Sequence, residues 1–159
     1  MAPGLRIGWL AAPHAIMQKL IVAKQASDLH TNYLAQRIIH QYLIDNDVDE
    51  HIARIVAVYG RQRDGMIASI ERHFPADIRY TKPDGGMFLW VTLPAGTSSM
   101  ALFQRAIQKK VAFVPGNPFY VHAADANTLR LNFSSTDEAT IETGIARLAG
   151  AIEEVEEEQ

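Results

Sequence analysis

The hydrophobic positions of this chain change period as one reads along it. Arg6 to Ala12 is a short apolar run opened by Pro3-Gly4 and closed by Pro13, which predicts a buried strand. From His14 the spacing becomes helical, with Ile16, Leu20, Ile21 and Ala23 on one face up to about Ala26. Asp28 to Asn32 breaks that pattern, and a second helix is predicted from Tyr33 to Ile44. Asp45-Asn46-Asp47 ends it and can cap a third, longer helix from Val48 to about His73. Gly60 and Gly65 lie inside that third helix, where each costs ~1 kcal/mol relative to alanine, so a bend or a close packing partner is expected there.

Beyond Pro75 the period shortens to that of strands. Ile78 to Tyr80 and Met87 to Leu93 flank Lys82-Pro83-Asp84-Gly85-Gly86 and predict a hairpin. Ser98 to Lys110 reads as a short helix, Val111 to Val114 as a strand stopped by Pro115-Gly116-Asn117-Pro118, and Leu129 to Phe133 as a further strand with Arg130 and Asn132 on one face. The last helix carries Ile141, Ile145, Leu148 and Ile152 at helical intervals behind a Ser135/Glu138 capping-box spacing. Its glutamate-rich end opposes the helix dipole, and fraying is expected there. The fold class is therefore α/β, with the second half a compact α+β unit. The first half lacks a neighbour for its single strand, so it reads as a fragment or as a structure completed by a partner.

Composition removes several kinds of chemistry. The 159 residues are enough for one domain and 48% of them are hydrophobic, which argues against disorder. The absence of cysteine excludes disulfides, thiolate metal sites and a cysteine nucleophile, and suits a reducing, cytoplasmic setting. The net charge of −3 arises from Glu153, Glu154, Glu156, Glu157 and Glu158, without which 13 acids face 15 bases. No clustered positive field marks nucleic acid or a membrane as partner. The uncharged stretch from Gly85 to Gln104 is interrupted by Pro94 and Gly96 and is no membrane span, and Met1-Ala2-Pro3-Gly4 is unlike a secretory signal.

Few side chains advertise a reaction. The six histidines show no metal-ligand spacing, the glycine pairs match no phosphate-binding loop, and Ser134-Ser135 is better explained as capping than as a nucleophile. Lys19, Lys24, Lys82, Lys109 and Lys110 carry no local sign of activation. Two arginines remain. Arg6 offers a planar, permanently charged fork at the mouth of the first predicted strand, and Arg130 points away from its apolar neighbours Leu129 and Leu131. From the residues alone the first reading of each is a surface arginine, Arg130 by snorkelling to solvent, with anion binding as the alternative. Of the aromatics, most are expected in the core, and Phe119 stands apart because it sits in a Pro/Gly/Asn loop.

Taken together, four segments resemble the fold-type I, pyridoxal-phosphate-dependent aminotransferases of class I/II, most closely the 2-aminoadipate/kynurenine branch. They are Ala2-Pro3-Gly4-Leu5-Arg6-Ile7-Gly8-Trp9, Gly85-Gly86-Met87-Phe88-Leu89-Trp90, Pro115-Gly116-Asn117-Pro118-Phe119-Tyr120-Val121 and Leu129-Arg130-Leu131-Asn132-Phe133-Ser134. The resemblance runs the length of the chain. It implies that residues 1–46 are a remnant of the large cofactor domain, and that 47–159 are a long linking helix and the C-terminal small α+β domain. It implies that Arg6 binds the cofactor phosphate, that Arg130 binds the substrate α-carboxylate, and that Phe88 and Phe119 line the substrate pocket. The family's Schiff-base lysine would precede Met1, so no catalytic residue and no metal ligand is expected within the chain, and the chain alone is expected not to turn over. The implied partners are an amino acid, a 2-oxoacid such as 2-oxoglutarate, and a second copy in a homodimer. An alternative is the aminotransferase-like effector domain of a winged-helix transcription regulator, which upstream sequence would reveal. A third reading, a free-standing binding or dimerisation module, leaves Arg6 without a purpose.

Overall fold

The computed structural model describes residues 3–122 and 126–157; Ala2 of the first motif and Glu158 of the acidic run lie outside them. The chain divides into two compact units, Met1–Ile52 and Ala53–Gln159.

The first unit holds a 3-10 turn (Pro3–Leu5), helix α1 (His14–Ser27), helix α2 (Tyr33–Asp45) and the start of α3 (Val48–His73). Asn32 caps α2 by accepting a hydrogen bond from the Ala35 amide at 3.0 Å, and Asp47 caps α3 by accepting from the Asp49 and Glu50 amides at 3.0 Å each. The strand expected over Arg6–Ala12 is not formed: residues 6–13 are irregular, and Trp9 is 89% exposed. A strand needs a neighbour for its amides and carbonyls, and the described residues of this unit contain none. The apolar side of α1 is likewise open, and Trp9, Leu10, Met17, Leu20 and Ile21 line a groove of about 660 Å³.

In the second unit a four-stranded antiparallel sheet has the order β1-β2-β4-β3 (β1 Arg79–Tyr80, β2 Phe88–Thr92, β3 Val114–Pro115, β4 Thr128–Asn132). Helices α4 (Ser99–Gln108) and α5 (Glu138–Glu157) complete it. Alternation sorts the two sheet faces. Leu89 pairs with Leu131 and Val91 with Leu129, and all four are buried in one core with Met66 and Ile70 of α3, Leu102 of α4, and Ile141, Ile145, Leu148 and Ile152 of α5. Each such buried aliphatic side chain stabilises the fold by roughly 1.5–3 kcal/mol. Phe88, Trp90, Arg130 and Asn132 have the opposite parity and so occupy the other face.

Four local expectations are corrected. The strand expected over Val111–Val114 is displaced to Val114–Pro115, because α4 ends in a Schellman turn that uses the Lys110 amide (to Ile107 O, 2.9 Å) and the Val111 amide (to Ala106 O, 2.9 Å). Pro115 lies within β3 rather than ending it, a position open to proline because β3 is an edge strand. Helix α5 is capped by Asp137, whose Oδ1 accepts from the Thr140 amide at 2.7 Å, and not by Ser135, whose hydroxyl turns back to Asn132 Oδ1. The acidic end of α5 stays helical through Glu157, held by buried Val155 and by a Lys109–Glu154 ion pair at 2.7 Å. Within α3, a Cβ on Gly65 would lie 3.7 Å from Glu138 Cγ, whereas Gly60 faces open space.

Helices α3 and α5 are also joined by a polar clip. Glu142 accepts from the buried Ser69 hydroxyl and from Arg72 Nη1 (2.5 Å), with His73 Nε2 at 2.7 Å. The Ser69 hydrogen bond, with the His73 and Arg72 contacts behind it, holds the Glu142 carboxyl down to about 2.

Candidate functional site

On the sheet face away from the core, β4 presents Arg130 opposite Trp90 of β2 and Val114 of β3. The guanidinium lies over the Phe88 ring, with Cζ 4.0 Å from the centroid, and 5.0 Å from the centroid of Phe119. Both distances are within cation–π range. Arg130 Nε is buried and has no hydrogen-bond partner, and no carboxylate among the described residues pairs with the guanidinium. The two rings flank the guanidinium, whose planar fork of N–H donors is suited to a bidentate carboxylate.

The loop that brings Phe119 here depends on Gly116. After β3 the chain forms a 3-10 turn (Asn117–Phe119), with Gly116 N–H donating to Thr128 O at 2.7 Å and Ser99 Oγ donating to Asn117 Oδ1 at 3.2 Å. The backbone of Gly116 has φ −70° and ψ −20°, open to any residue. A Cβ there would nonetheless sit 2.0 Å from Thr128 Oγ1 and 2.7 Å from Thr128 O, so glycine is required by close approach alone. Phe119 itself is 48% exposed, and its ring meets Trp90 edge-on at 5.2 Å and 87°.

The sequence-derived residues thus fall in two places. Phe88, Phe119 and Arg130 come together in the second unit. Arg6 belongs to the first unit, where it is exposed and has a left-handed backbone at φ 54°. Asn132 shares the face of Arg130, but its Oδ1 accepts from the Ser134 amide and from the Ser134 and Ser135 hydroxyls, so it organises the following turn. Most aromatics are expected in the core, and Phe113 and Phe133 are there, but Trp90 and Tyr120 lie in the cluster at the arginine with their rings 6.5 Å apart. Strand parity carries the signal for Trp90, which stands two residues from Phe88 and out of phase with Leu89 and Val91.

Among the described residues no three or more His, Asp or Glu side chains are grouped to hold a metal ion, and no helix is long and apolar enough to cross a membrane.

The second unit thus carries an antiparallel sheet with helices on one face and an aromatic-flanked arginine on the other, a geometry able to receive an anion. Residues 1–148 match the family model for aminotransferase class I and II, and the chain belongs to that family. It is 44% identical over 154 residues to aromatic-amino-acid aminotransferase 1 of Thermococcus litoralis (97% of this chain, 37% of the relative). It is 41% identical over 152 residues to 2-aminoadipate transaminase of Thermus thermophilus (96% and 38%). Among solved structures it superposes on LysN, the alpha-aminoadipate aminotransferase of Thermus thermophilus complexed with N-(5'-phosphopyridoxyl)-L-leucine. The TM-score is 0.87 and the identity 39%, over 99% of this chain and 40% of that one. A weaker match, 28% identical over 149 residues (94% of this chain, 30% of the relative), is an HTH-type transcriptional regulator of Bacillus subtilis. The chain spans two fifths or less of the length of these relatives.

Proposed function

We propose that this chain is the C-terminal part of a pyridoxal-phosphate-dependent aminotransferase that moves an amino group between an α-amino acid and a 2-oxoacid such as 2-oxoglutarate. The observation that carries this reading is the Arg130 guanidinium, stacked by Phe88 at 4.0 Å and left without an internal anion among the described residues. In this reading Arg130 grips the substrate α-carboxylate through two parallel hydrogen bonds, and Phe88 and Phe119 line the pocket and exclude water from them. Residues 1–46 belong to the large cofactor domain, and 47–159 form the linking helix and the small domain.

Arg6 has the chemistry to hold the cofactor phosphate: it is an exposed guanidinium, and no acid pairs with it among the described residues. When bound, pyridoxal phosphate supplies the carbonyl that takes up the amino group and the electron-withdrawing ring. In this reading no lysine of the chain is assigned the Schiff-base role, and turnover is a property of the complete protein. The complete protein works in the cytoplasm as a homodimer, and the open apolar groove of the first unit is consistent with burial against further structure.

The test is Arg130→Lys in the complete protein. The substitution keeps the charge and removes the fork, so kcat/KM for the amino donor falls at least tenfold. A change under about twofold removes Arg130 from the site. The regulator match favours a second reading, in which the same module serves as an effector domain, and an intact protein that binds amino acids without turnover would establish it.

A further inference from the structure

The Arg130 clasp raises the question of what holds a guanidinium in place when its Nε finds no acceptor. Neighbouring rings are the remaining restraint, and the two are not equally secured. Phe88 is on β2 and is fixed by the strand, in register with Asn132. Phe119 is on a three-residue 3-10 turn and is 48% exposed, so burial in a core does not set its side chain. The hydrogen bonds of Gly116 and Asn117 place the backbone of that turn and leave the Phe119 ring undetermined. The ring contact that orients it is with Trp90, edge to face at 5.2 Å and 87°.

Trp90 is suited to act as a platform. Its amide donates to Thr81 Oγ1 at 3.0 Å and its carbonyl accepts from the Thr81 amide at 2.9 Å, so the residue that follows β1 holds it from one side. On the other side it pairs directly with Arg130 in the β2–β4 register. Its ring also approaches Tyr120 at 6.5 Å, and Tyr120 Oη accepts from the buried Thr128 hydroxyl at 3.2 Å. The sequence of contacts runs from a doubly anchored strand residue, through a loop phenylalanine, to the arginine.

We infer that Trp90 is a positioning residue for carboxylate capture: it orients Phe119, and through Phe119 it sets the plane of the Arg130 guanidinium. The inference rests on the proposed role of Arg130 as the carboxylate anchor. A bidentate grip depends on the plane of the fork, so loss of the platform weakens binding of every substrate that carries the carboxylate.

The experiment compares Trp90→Leu, Trp90→Phe and Arg130→Lys in the complete enzyme, measuring kcat and KM for the amino donor and the 2-oxoacid together with inhibition by glutarate as a non-reacting dicarboxylate probe. One edge-to-face pair is worth an effect of about two- to twelvefold. The expected result is that Trp90→Leu raises both KM values and the glutarate inhibition constant by that factor with kcat within about twofold, and that Trp90→Phe restores most of the loss. If Arg130→Lys impairs binding while Trp90→Leu leaves KM and glutarate inhibition unchanged, the positioning role is overturned and the anchor role stands. If Trp90→Leu lowers kcat and thermal stability without raising KM, Trp90 is only structural and the inference is equally overturned. If Arg130→Lys itself leaves binding unchanged, the anchor role fails and the inference fails with it.

Discussion

Gly116→Ala tests the site's architecture through a single methyl group. The glycine's φ of −70° and ψ of −20° suit alanine, so backbone strain contributes nothing to the effect. What remains is contact. The added Cβ would lie 2.0 Å from Thr128 Oγ1, 2.7 Å from Thr128 O and 3.1 Å from Thr128 C, and the last two are backbone atoms of β4, which is paired on both sides. Relief requires β3 to move off β4, which breaks the Gly116 N–H to Thr128 O hydrogen bond of 2.7 Å. Overpacking of this kind costs roughly 1–3 kcal/mol and a buried carbonyl left unpaired a further 1–3 kcal/mol, giving about 2–6 kcal/mol in total. Chemical denaturation followed by Trp90 fluorescence in a Trp9→Phe background reports on the second unit alone, because Trp9 lies in the first. The expected result is a lower midpoint with an unchanged slope. Thr128→Ala in the same chain removes the 2.0 Å contact and leaves the 2.7 Å one, so the double variant recovers only part of the loss. A Gly116→Ala variant within about 0.5 kcal/mol of wild type would refute the close-approach argument, and complete recovery in the double variant would place the whole effect on the hydroxyl.

Two further predictions concern the helices. Glu142 is held down to about 2 in the folded chain, against 4.5 ordinarily, so its contribution to stability is complete above 4.5 and is lost as pH falls towards 2. Glu142→Gln therefore flattens the dependence of the urea midpoint on pH within that window, and identical slopes for variant and wild type would show that the clip to Ser69, Arg72 and His73 does not couple to folding. Asp137→Ala removes the hydrogen bond to the Thr140 amide at 2.7 Å and costs about 1 kcal/mol in unfolding free energy, whereas Ser135→Ala costs a few tenths at most. Equal losses in the same assay would return the cap to Ser135.

The sequence makes the core legible wherever one period holds for several turns or residues. Ile141, Ile145, Leu148 and Ile152 recur at helical spacing and are all buried, and the alternation of Leu129-Arg130-Leu131-Asn132 sorts correctly into a core face and an outer face. Legibility fails where a segment depends on a partner distant in sequence. Arg6–Ala12 has the composition of a buried strand, but a strand exists only as half of a ladder, and the first unit holds no other half among the described residues. Val111 looks like a strand residue, yet its amide is already taken by Ala106 O at the end of α4. Ser135 has the right spacing for a capping box, yet Asn132 claims its hydroxyl first. In the last two cases a neighbouring backbone or side-chain group competes for a hydrogen bond, and periodicity does not record such competition.

The same distinction explains why Arg130 was visible and Trp90 was not. Arg130 breaks the local pattern: a permanent charge between two buried leucines has to face out of the core, and a strand of five residues is enough to say so. Trp90 differs from Leu89 and Val91 only in phase, and in a strand with apolar side chains on both faces the phase alone does not say which face is the core. What removes it from the core is that Phe88, Trp90 and Arg130 share a face across β2 and β4, and that the turn after β3 lays Phe119 beside them. Register and loop path are both consequences of pairing between segments about 40 residues apart in the chain, from Trp90 to Arg130. Placing the arginine and its aromatic neighbours on the outer face also leaves Leu89, Val91, Leu129 and Leu131 free to pack the core, so the binding face can be altered with little cost to the sheet that carries it. Gly116 is the exception that links the two, since one added methyl group there would displace both an edge strand and the ring that flanks Arg130.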